Sequence, residues 1–224
     1  MISIQPKWCK LIASGKKTVE VRKTRPKIDT PFKCYIYCTK PKEKNDFGLC
    51  LDRGMSGKLK SIGLLYKQNY ETALNMGMDI LSGKVIGEFV CDEFTYIETG
   101  YDTNGHKHLY NTAFIEHRMC IPDLELFEYL YQSREKCGGW AWHISDLVIY
   151  DKPKELSEFY VLDEKAIKEC KHRERVYVNP DSVNGAWLKG SYICTKGEED
   201  WCSKCKTKLL KRPFQSWGYV EDGI

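Results

Sequence analysis

Residues 15–22 read Gly-Lys-Lys-Thr-Val-Glu-Val-Arg and mark a change from helix to strand. The apolar residues before them are spaced i, i+3, i+4, which predicts an amphipathic helix over residues 6–14. The glycine then ends the helix, because glycine adopts the left-handed conformation at low cost. Residues 17–23 alternate between polar and apolar, which predicts a half-buried strand with Glu20 and Arg22 on one face.

Short strands and a few helices follow along the chain. We predict further strands at residues 1–4, 34–39, 84–93 and 140–150, helices at 69–81, 123–132, 153–156 and 161–172, and a long loop at 40–60. Strict alternation of strand and helix is missing, so the pattern favours an α+β fold over a doubly wound parallel sheet.

The composition is that of a folded globular protein: 224 residues, 42% hydrophobic and 29% charged. No apolar run approaches the roughly 20 residues that a membrane-spanning helix needs, so we expect no membrane association. Residues 1–8 lack the apolar core of a signal peptide. The eleven cysteines are odd in number and mostly scattered singly, which favours free thiols in a reducing compartment. We therefore expect a cytoplasmic protein.

Positive charge is concentrated at the amino-terminal end. Residues 1–44 hold twelve Lys or Arg and three acids, a net charge of +9, so the other 180 residues carry −5 of the total of +4. Such asymmetry favours an anionic partner, of which nucleic acid is the usual one. A solvated lysine-rich surface is the alternative.

Four positions of the first segment, Gly15, Lys17, Glu20 and Arg22, form a G-x-K-x-x-E-x-R pattern. Gly-Lys-Val-Ile-Gly-Glu-Phe at 83–89 and Trp-His-Ile-Ser-Asp-Leu at 142–147 follow in order as strand segments. Together they resemble the ASCH family of PUA-like proteins. Residues 151–159 look like the tail of ASCH proteins carried in phage and prophage genomes, which suggests a phage-type protein.

The resemblance implies a fold and a function. It implies a PUA-like mixed β-barrel with flanking helices over residues 1–160, and residues 161–224 would form a small cysteine-containing extension. ASCH proteins are regarded mostly as RNA-binding or nucleotide-handling modules, so we expect RNA or a nucleotide-like ligand as partner. No protein partner is indicated.

The ligand is expected in a cleft beside the signature segment. Arg22 can bind phosphate through a bidentate fork or orient Glu20, whereas Lys17 beside Glu20 forms a candidate acid–base pair. A salt bridge between Glu20 and Arg22 that only stabilises the fold is the alternative. Four further candidates for ligand binding are Lys10, Trp8, Trp142 and His143.

The aromatic candidates have structural alternatives. Trp8 lies on an apolar helical stripe, which favours core packing over base stacking. Alternation places Trp142 and His143 on opposite faces of their strand, so at most one of them lines the cleft. For His143, a hydrogen-bonded structural role is favoured over a proton shuttle.

Two other function classes stay open beside RNA binding. The first is a hydrolase of a modified nucleoside or of RNA, with Lys17 and Glu20 as catalytic pair. Amidohydrolase-like ASCH members have a nucleophilic threonine where this chain has Glu20, which weighs against the same covalent mechanism; Glu125 and Glu128 lie in a plausible region for their remote glutamate. The second is a phage adaptor that binds a host protein.

The carboxyl-terminal cysteines suggest a metal site. Cys202 and Cys205 have the Cys-x₂-Cys spacing that grips one tetrahedral ion, Cys194 offers a third ligand, and Cys170 or His172 offers a fourth. A structural zinc ion would staple a tail too short for its own core. A redox-active dithiol, inert thiols and an iron–sulfur cluster are the alternatives, and we expect no cofactor to be required for ligand binding.

Overall fold

The computed structural model describes residues 1–52, 61–133, 136–162, 173–176, 191–194 and 207–222. The chain divides into two compact units. The first comprises Met1–Glu155 and Pro213–Gly218, and the second comprises Leu156–Arg212 and Tyr219–Ile224. The predicted boundary at residue 160 stays a prediction.

The first unit is rich in short strands with a few helices among them. Its strands are β1 (Ile2–Ile4), β2 (Val19–Arg22), β3 (Phe32–Cys38), β4 (Phe47–Asp52), β5 (Ser61–Tyr66), β6 (Asp79–Ile80), β7 (Val85–Cys91), β8 (Phe94–Tyr101), β9 (Lys107–Tyr110), β10 (Tyr131–Ser133), β11 (Lys136–Cys137), β12 (Gly139–His143) and β13 (Ser145–Lys154). Its helices are α1 (Pro6–Ala13), α2 (Tyr70–Asn75), α3 (Glu116–Met119) and α4 (Asp123–Leu130), with a 3₁₀ turn at Lys67–Asn69.

The strands form several sheets. One has the order β1-β3-β7-β13, with β1 and β3 parallel and the other pairs antiparallel. A second has the order β2-β12-β8-β9, and a third has the order β5-β4-β6. This is the mixed, sheet-rich α+β arrangement that the sequence predicts. The described strand pairs do not form a closed ring, so barrel closure stays an expectation from the family resemblance.

The signature segment joins α1 to β2. Pro6 occupies the first turn of α1, where its missing N–H is not needed. Gly15 has a φ of +71° just beyond the helix, as the glycine stop predicts. The strand β2 pairs antiparallel with β12, so that Glu20 lies opposite Trp142 and Arg22 opposite Trp140.

Two hydrophobic clusters lie on either side of β2. Val19 and Val21 face a cluster with Met119, Leu126 and Leu130 of α3 and α4. The larger cluster contains buried residues of α1, β1, β3, β4, β7 and β12. Glu20 and Arg22, which alternate with the two valines, therefore point away from α4's apolar face.

Several local predictions differ from the structure. Residues 47–52 of the predicted loop form β4, and the helix predicted over 69–81 ends at Asn75 and is followed by β6. The chain at 153–154 continues β13 instead of starting a helix. Residues 161–162, the first two of the helix predicted over 161–172, belong to a strand, and residues 163–172 lie outside the described residues. In α4, Leu124 is 62% exposed, whereas Leu126 and Leu130 are buried.

The second unit contains β14 (Phe159–Leu162), β15 (Arg173–Val176), β16 (Ser191–Cys194), β17 (Thr207–Leu209), β18 (Glu221–Asp222) and a 3₁₀ turn at Leu156–Glu158. These strands pair as β17-β14-β18 and β15-β16. Phe159 and Leu210 are its buried apolar residues among those described. Over the described parts of the chain, no helix is long and apolar enough to span a bilayer.

Candidate functional site

A cavity of about 370 Å³ opens beside β2 in the first unit. Its wall is formed by α1, β2, the segment after β3, α4 and Ile121 before it, together with Ser3, Gln5 and Gln215. The described lining residues are Ser3, Gln5, Lys7, Trp8, Glu20, Val21, Arg22, Thr39, Lys40, Lys42, Ile121, Glu125, Leu126, Tyr129 and Gln215.

Three charged side chains of the signature segment are connected at the base of this cavity. Lys17 Nζ lies 3.5 Å from Glu20 Oε2, and Arg22 Nη2 lies 3.1 Å from Glu20 Oε1. The Lys17 side chain is fully buried, Glu20 is 5% exposed and Arg22 is 13% exposed. The predicted neighbours thus meet, and the salt bridge between Glu20 and Arg22 forms in the cavity wall itself.

Lys17 lies behind Glu20 and does not reach solvent. Its Nζ also donates a hydrogen bond to the backbone oxygen of Met119 at 2.5 Å. Burial lowers the pKa of Lys17, because desolvation disfavours the ammonium ion, and the neighbouring Glu20 carboxylate opposes that shift. Lys17 can therefore act on a ligand only through Glu20.

Arg22 links the signature strand to the first strand of the chain. Its Nη2 donates to the backbone oxygen of Ser3 at 2.5 Å, whereas Nε is buried and has no hydrogen-bond partner among the described residues. The guanidinium is thus held in place by Glu20 and the Ser3 backbone, while its buried Nε has no partner among the described residues. Such a fixed, partly exposed guanidinium is suited to an anionic group.

Exposed lysines surround the cavity opening. Lys7, Lys40 and Lys42 line this cavity and also an adjoining depression of about 430 Å³ that extends to Phe47. Lys7 pairs with Glu125 at 3.0 Å. With Glu20 neutralised by its two partners, positive charge predominates along this surface.

Gly83 allows the Lys40 side chain to approach. A Cβ at Gly83 would lie 2.3 Å from Lys40 Cε, and the glycine has a φ of +91°. A larger residue would meet both the lysine stem and a strained backbone. The Gly83 segment of the family resemblance is therefore linked to the basic wall of the cavity.

Two aromatic rings lie in the cavity wall among these cations. Lys7 Nζ is 4.2 Å and Lys17 Nζ 5.1 Å from the centroid of the Trp8 ring. Lys23 Nζ lies 5.1 Å from the ring of Tyr129, which is exposed. Trp8 also packs on the larger core cluster, so it both contributes to the core and lines the cavity.

The other sequence-predicted candidates lie elsewhere. Lys10 is exposed on α1, outside the described set that lines the cavity. Trp142 is 1% exposed and packs against Phe94 in the larger core cluster. The ring of His143 bonds through Nδ1 to Asp92 Oδ1 at 2.6 Å.

The predicted metal ligands cannot be placed. Cys170, Cys202 and Cys205 lie outside the described residues, as does His172, and Cys194 is described only by its backbone. Within the described ranges, no cluster of three His, Cys, Asp or Glu side chains has the arrangement of a metal site. The zinc site stays a prediction.

Sequence reasoning did not single out Lys40, Lys42 and Tyr129 as cavity residues. The two lysines belong to the basic stretch of residues 1–44, but no periodic pattern places a loop after β3 beside β2. Tyr129 lies on α4, where the spacing of Leu126 and Leu130 fixes which face it takes. The spacing of Leu126 and Leu130 is therefore the sequence feature that indicates the position of Tyr129 on α4.

Comparison with known proteins gives one match. Residues 2–51 match the family model of the ASCH domain. No curated protein and no solved structure matches the chain. The match runs from β1 into β4 and covers less than a quarter of the chain, and it includes Lys7, Trp8, Glu20, Arg22 and the two lysines after β3. The segment that supplies most of the charged cavity wall is therefore ASCH-like.

Proposed function

We propose that this chain is an RNA- or nucleotide-binding module of the PUA-like type, with its ligand in the cavity beside β2. One observation carries the proposal: Arg22, three exposed lysines and two aromatic rings all line the same cavity. ASCH domains are generally RNA-binding modules, which supports the same function.

The charges of the cavity suit a phosphate group. Arg22 is fixed by Glu20 and by the Ser3 backbone, so little conformational entropy is lost when it binds an anion. Lys40 and Lys42 are exposed and can follow a flexible backbone. Neutralising phosphates in this way releases counterions and supplies sequence-independent affinity.

The rings suit a base or a ribose. Trp8 and Tyr129 lie on opposite helices, α1 and α4, that flank the cavity. Single-stranded RNA is commonly recognised by stacking of unpaired bases on such side chains. A volume of about 370 Å³ falls in the usual range of small-ligand pockets, which admits one nucleotide unit.

Binding to a fluorescein-labelled, randomised single-stranded RNA octamer, followed by anisotropy, tests the proposal. Arg22→Gln should weaken binding at least tenfold, because it removes the fixed guanidinium from the cavity wall. The matched control is Arg118→Gln, since Arg118 is also half-buried and donates to Thr18 Oγ1 but lies outside the set that lines the cavity. Equal affinities of both variants and the wild type would reject this site.

Hydrolysis of a modified nucleoside or of RNA is a second candidate function. The buried Lys17, whose pKa is lowered, lies 3.5 Å from a carboxylate in the cavity wall, and such pairs can tune a general base. Incubation with total RNA and a panel of modified nucleosides tests it. Product that disappears in Glu20→Gln while RNA binding persists would establish an enzyme, whereas absence of product with the wild type would reject it.

A further inference from the structure

A second group of aromatic and basic side chains lies on the sheet next to the cavity. Trp140 on β12 is directly opposite Arg22 on β2 and, on its other side, opposite Tyr96 on β8. Residues in direct register share one face of a sheet. Since neighbouring strands are about 4.8 Å apart, Tyr96 lies roughly 10 Å from Arg22 across the sheet.

The rings of this row contact one another and a cation. The centroids of Tyr96 and Trp140 are 5.1 Å apart, with an interplanar angle of 60°. The guanidinium of Arg25 lies 4.5 Å from the centroid of Trp140 and 5.1 Å from that of Phe94. We call Arg25, Tyr96 and Trp140 the aromatic row.

The aromatic row is accessible, unlike its neighbour on the same face. Trp142, two residues along β12 and therefore on the same face, is only 1% exposed, and Phe94 opposite it is half-buried. By contrast, Tyr96 is 42% exposed and Arg25 is exposed. An exposed ring beside an exposed guanidinium offers two planar surfaces on which a base can stack.

Positive charge connects the aromatic row with the cavity. Arg22 lines the cavity, Lys23 lies over the cavity residue Tyr129, and Arg25 lies on Trp140. Three cations thus follow one another at the end of β2, alternating with rings. This order of charges and rings is complementary to phosphates and bases that alternate along a strand.

We propose that the aromatic row holds a second nucleotide of a single-stranded RNA whose neighbouring part occupies the cavity. The proposal rests on the proposed function and makes the ligand an RNA strand instead of a free nucleotide. Binding sites that combine a basic groove with stacking rings span several nucleotides. A duplex is excluded as the preferred ligand, because its bases are stacked on each other and cannot reach the rings.

The test compares Tyr96→Leu, Tyr96→Phe and Arg25→Gln in the full chain. The control is Tyr101→Leu: Tyr101 is on the same strand and 51% exposed, but five residues away and therefore on the other face. Affinity for the randomised RNA octamer is measured by anisotropy, and a duplex of the same length is measured in parallel. Competition by inorganic phosphate, which has no base to stack on the rings, reports on the anion-binding side chains alone.

Loss of the Tyr96 ring should weaken octamer binding about 5- to 100-fold, the range expected for one stacked base. Arg25→Gln should also weaken it, whereas Tyr96→Phe, which keeps the ring, and Tyr101→Leu should bind like the wild type. The inhibition constant of inorganic phosphate should be unchanged in Tyr96→Leu.

Three results would contradict the proposal that the aromatic row binds a nucleotide. These are equal octamer affinity of Tyr96→Leu and the wild type, an equal loss in Tyr101→Leu, or equal binding of duplex and single strand. If Arg22→Gln still weakens binding in those cases, RNA binding at the cavity is supported and only the proposal for the aromatic row is rejected. If the wild type binds no octamer, both the proposed function and the proposal for the aromatic row are rejected.

Discussion

Lys17 is the least ordinary residue of the site, because lysine is rarely buried without a partner. Its ammonium is removed from water, and the lost hydration is offset by Glu20 at 3.5 Å and the Met119 carbonyl. Glu20 in turn contacts Arg22 at 3.1 Å. The three residues are therefore energetically coupled, and removal of one leaves a buried charge with fewer partners.

Lys17→Met should lower the free energy of unfolding by about 3–5 kcal/mol, because it leaves the Glu20 carboxylate buried without its lysine. Urea unfolding followed by tryptophan fluorescence measures the change. Lys16→Met is the matched control, since Lys16 is the exposed neighbour, and it should change stability by less than about 0.5 kcal/mol. Equal effects of the two substitutions would show that Lys17 is not a coupled buried charge.

For these residues, the sequence predicts the contact between Glu20 and Arg22 but not the burial of Lys17. Strand alternation is enough to place Glu20 and Arg22 on one face, and the structure confirms their contact. The burial of Lys17 depends on Met119, 102 residues further along the chain, and no local pattern carries that information. For the same reason the Ser3 oxygen that Arg22 binds could not be predicted.

Among the elements, the turn before β7 determines where one wall of the cavity lies. Gly83 has a φ of +91° and donates its backbone N–H to Cys38 O at the end of β3. The Lys40 stem lies over it, where a Cβ would be only 2.3 Å from Cε. The turn thus positions a cavity lysine as well as the strand.

Gly83→Ala should lower stability by roughly 1–2 kcal/mol through the left-handed backbone, and it should weaken RNA binding by displacing Lys40. Gly77→Ala is the control: Gly77 has a φ of +77°, but a Cβ there would meet nothing within 4 Å. Both variants should lose stability in thermal unfolding. Only Gly83→Ala should lose octamer affinity, and an equal loss in Gly77→Ala would contradict this role of the turn.

Element prediction is most accurate where the hydrophobic period is clear. The helix α1 and the strands β2, β3 and β7 fall close to their predicted positions. The sequence does not predict β4, because Gly48 and its polar surroundings are typical of a loop. In the structure that glycine is required by packing, since a Cβ there would be 1.3 Å from the Tyr70 hydroxyl.

Across the whole molecule, most of the described cysteines belong to the core. Cys9, Cys34, Cys38, Cys50 and Cys91 are buried free thiols. Burial raises the pKa of Cys34 to about 11 and that of Cys91 to about 12, because the thiolate is poorly solvated there. The prediction of scattered buried thiols agrees with this placement.

Raised thiol pKa values make the fold sensitive to alkaline pH. Above pH 9 the unfolded chain loses the Cys34 proton while the folded chain keeps it up to about pH 11, so stability falls as pH rises through this window. Cys34→Ala should reduce that fall by about 2–3 kcal/mol between pH 9 and pH 11. Urea unfolding at several pH values measures the slope.

Ile36→Val is the control for this slope. It is a core substitution in the same strand that lowers stability without removing a titrating group. Its stability should therefore fall with pH in parallel with the wild type. A parallel fall in Cys34→Ala as well would contradict the assigned cause.

The distribution of charge is a whole-molecule property that the sequence predicts in outline. The basic excess of residues 1–44 includes Lys7, Arg22, Lys40 and Lys42, which the fold brings to one cavity. Which of the twelve basic residues converge depends on sheet order and could not be predicted from composition. The carboxyl-terminal zinc site lies outside the described residues and stays a prediction.

The salt dependence of RNA binding tests the central claim most directly. For a single strand, the logarithm of the affinity falls with the logarithm of salt concentration by about 0.7 per neutralised phosphate. Lys40→Ala/Lys42→Ala should therefore make the slope for the octamer shallower by about 1.4, whereas the control Lys84→Ala/Lys152→Ala should keep the wild-type slope. An unchanged slope in the cavity variant, or the same change in both, would contradict RNA binding at this cavity.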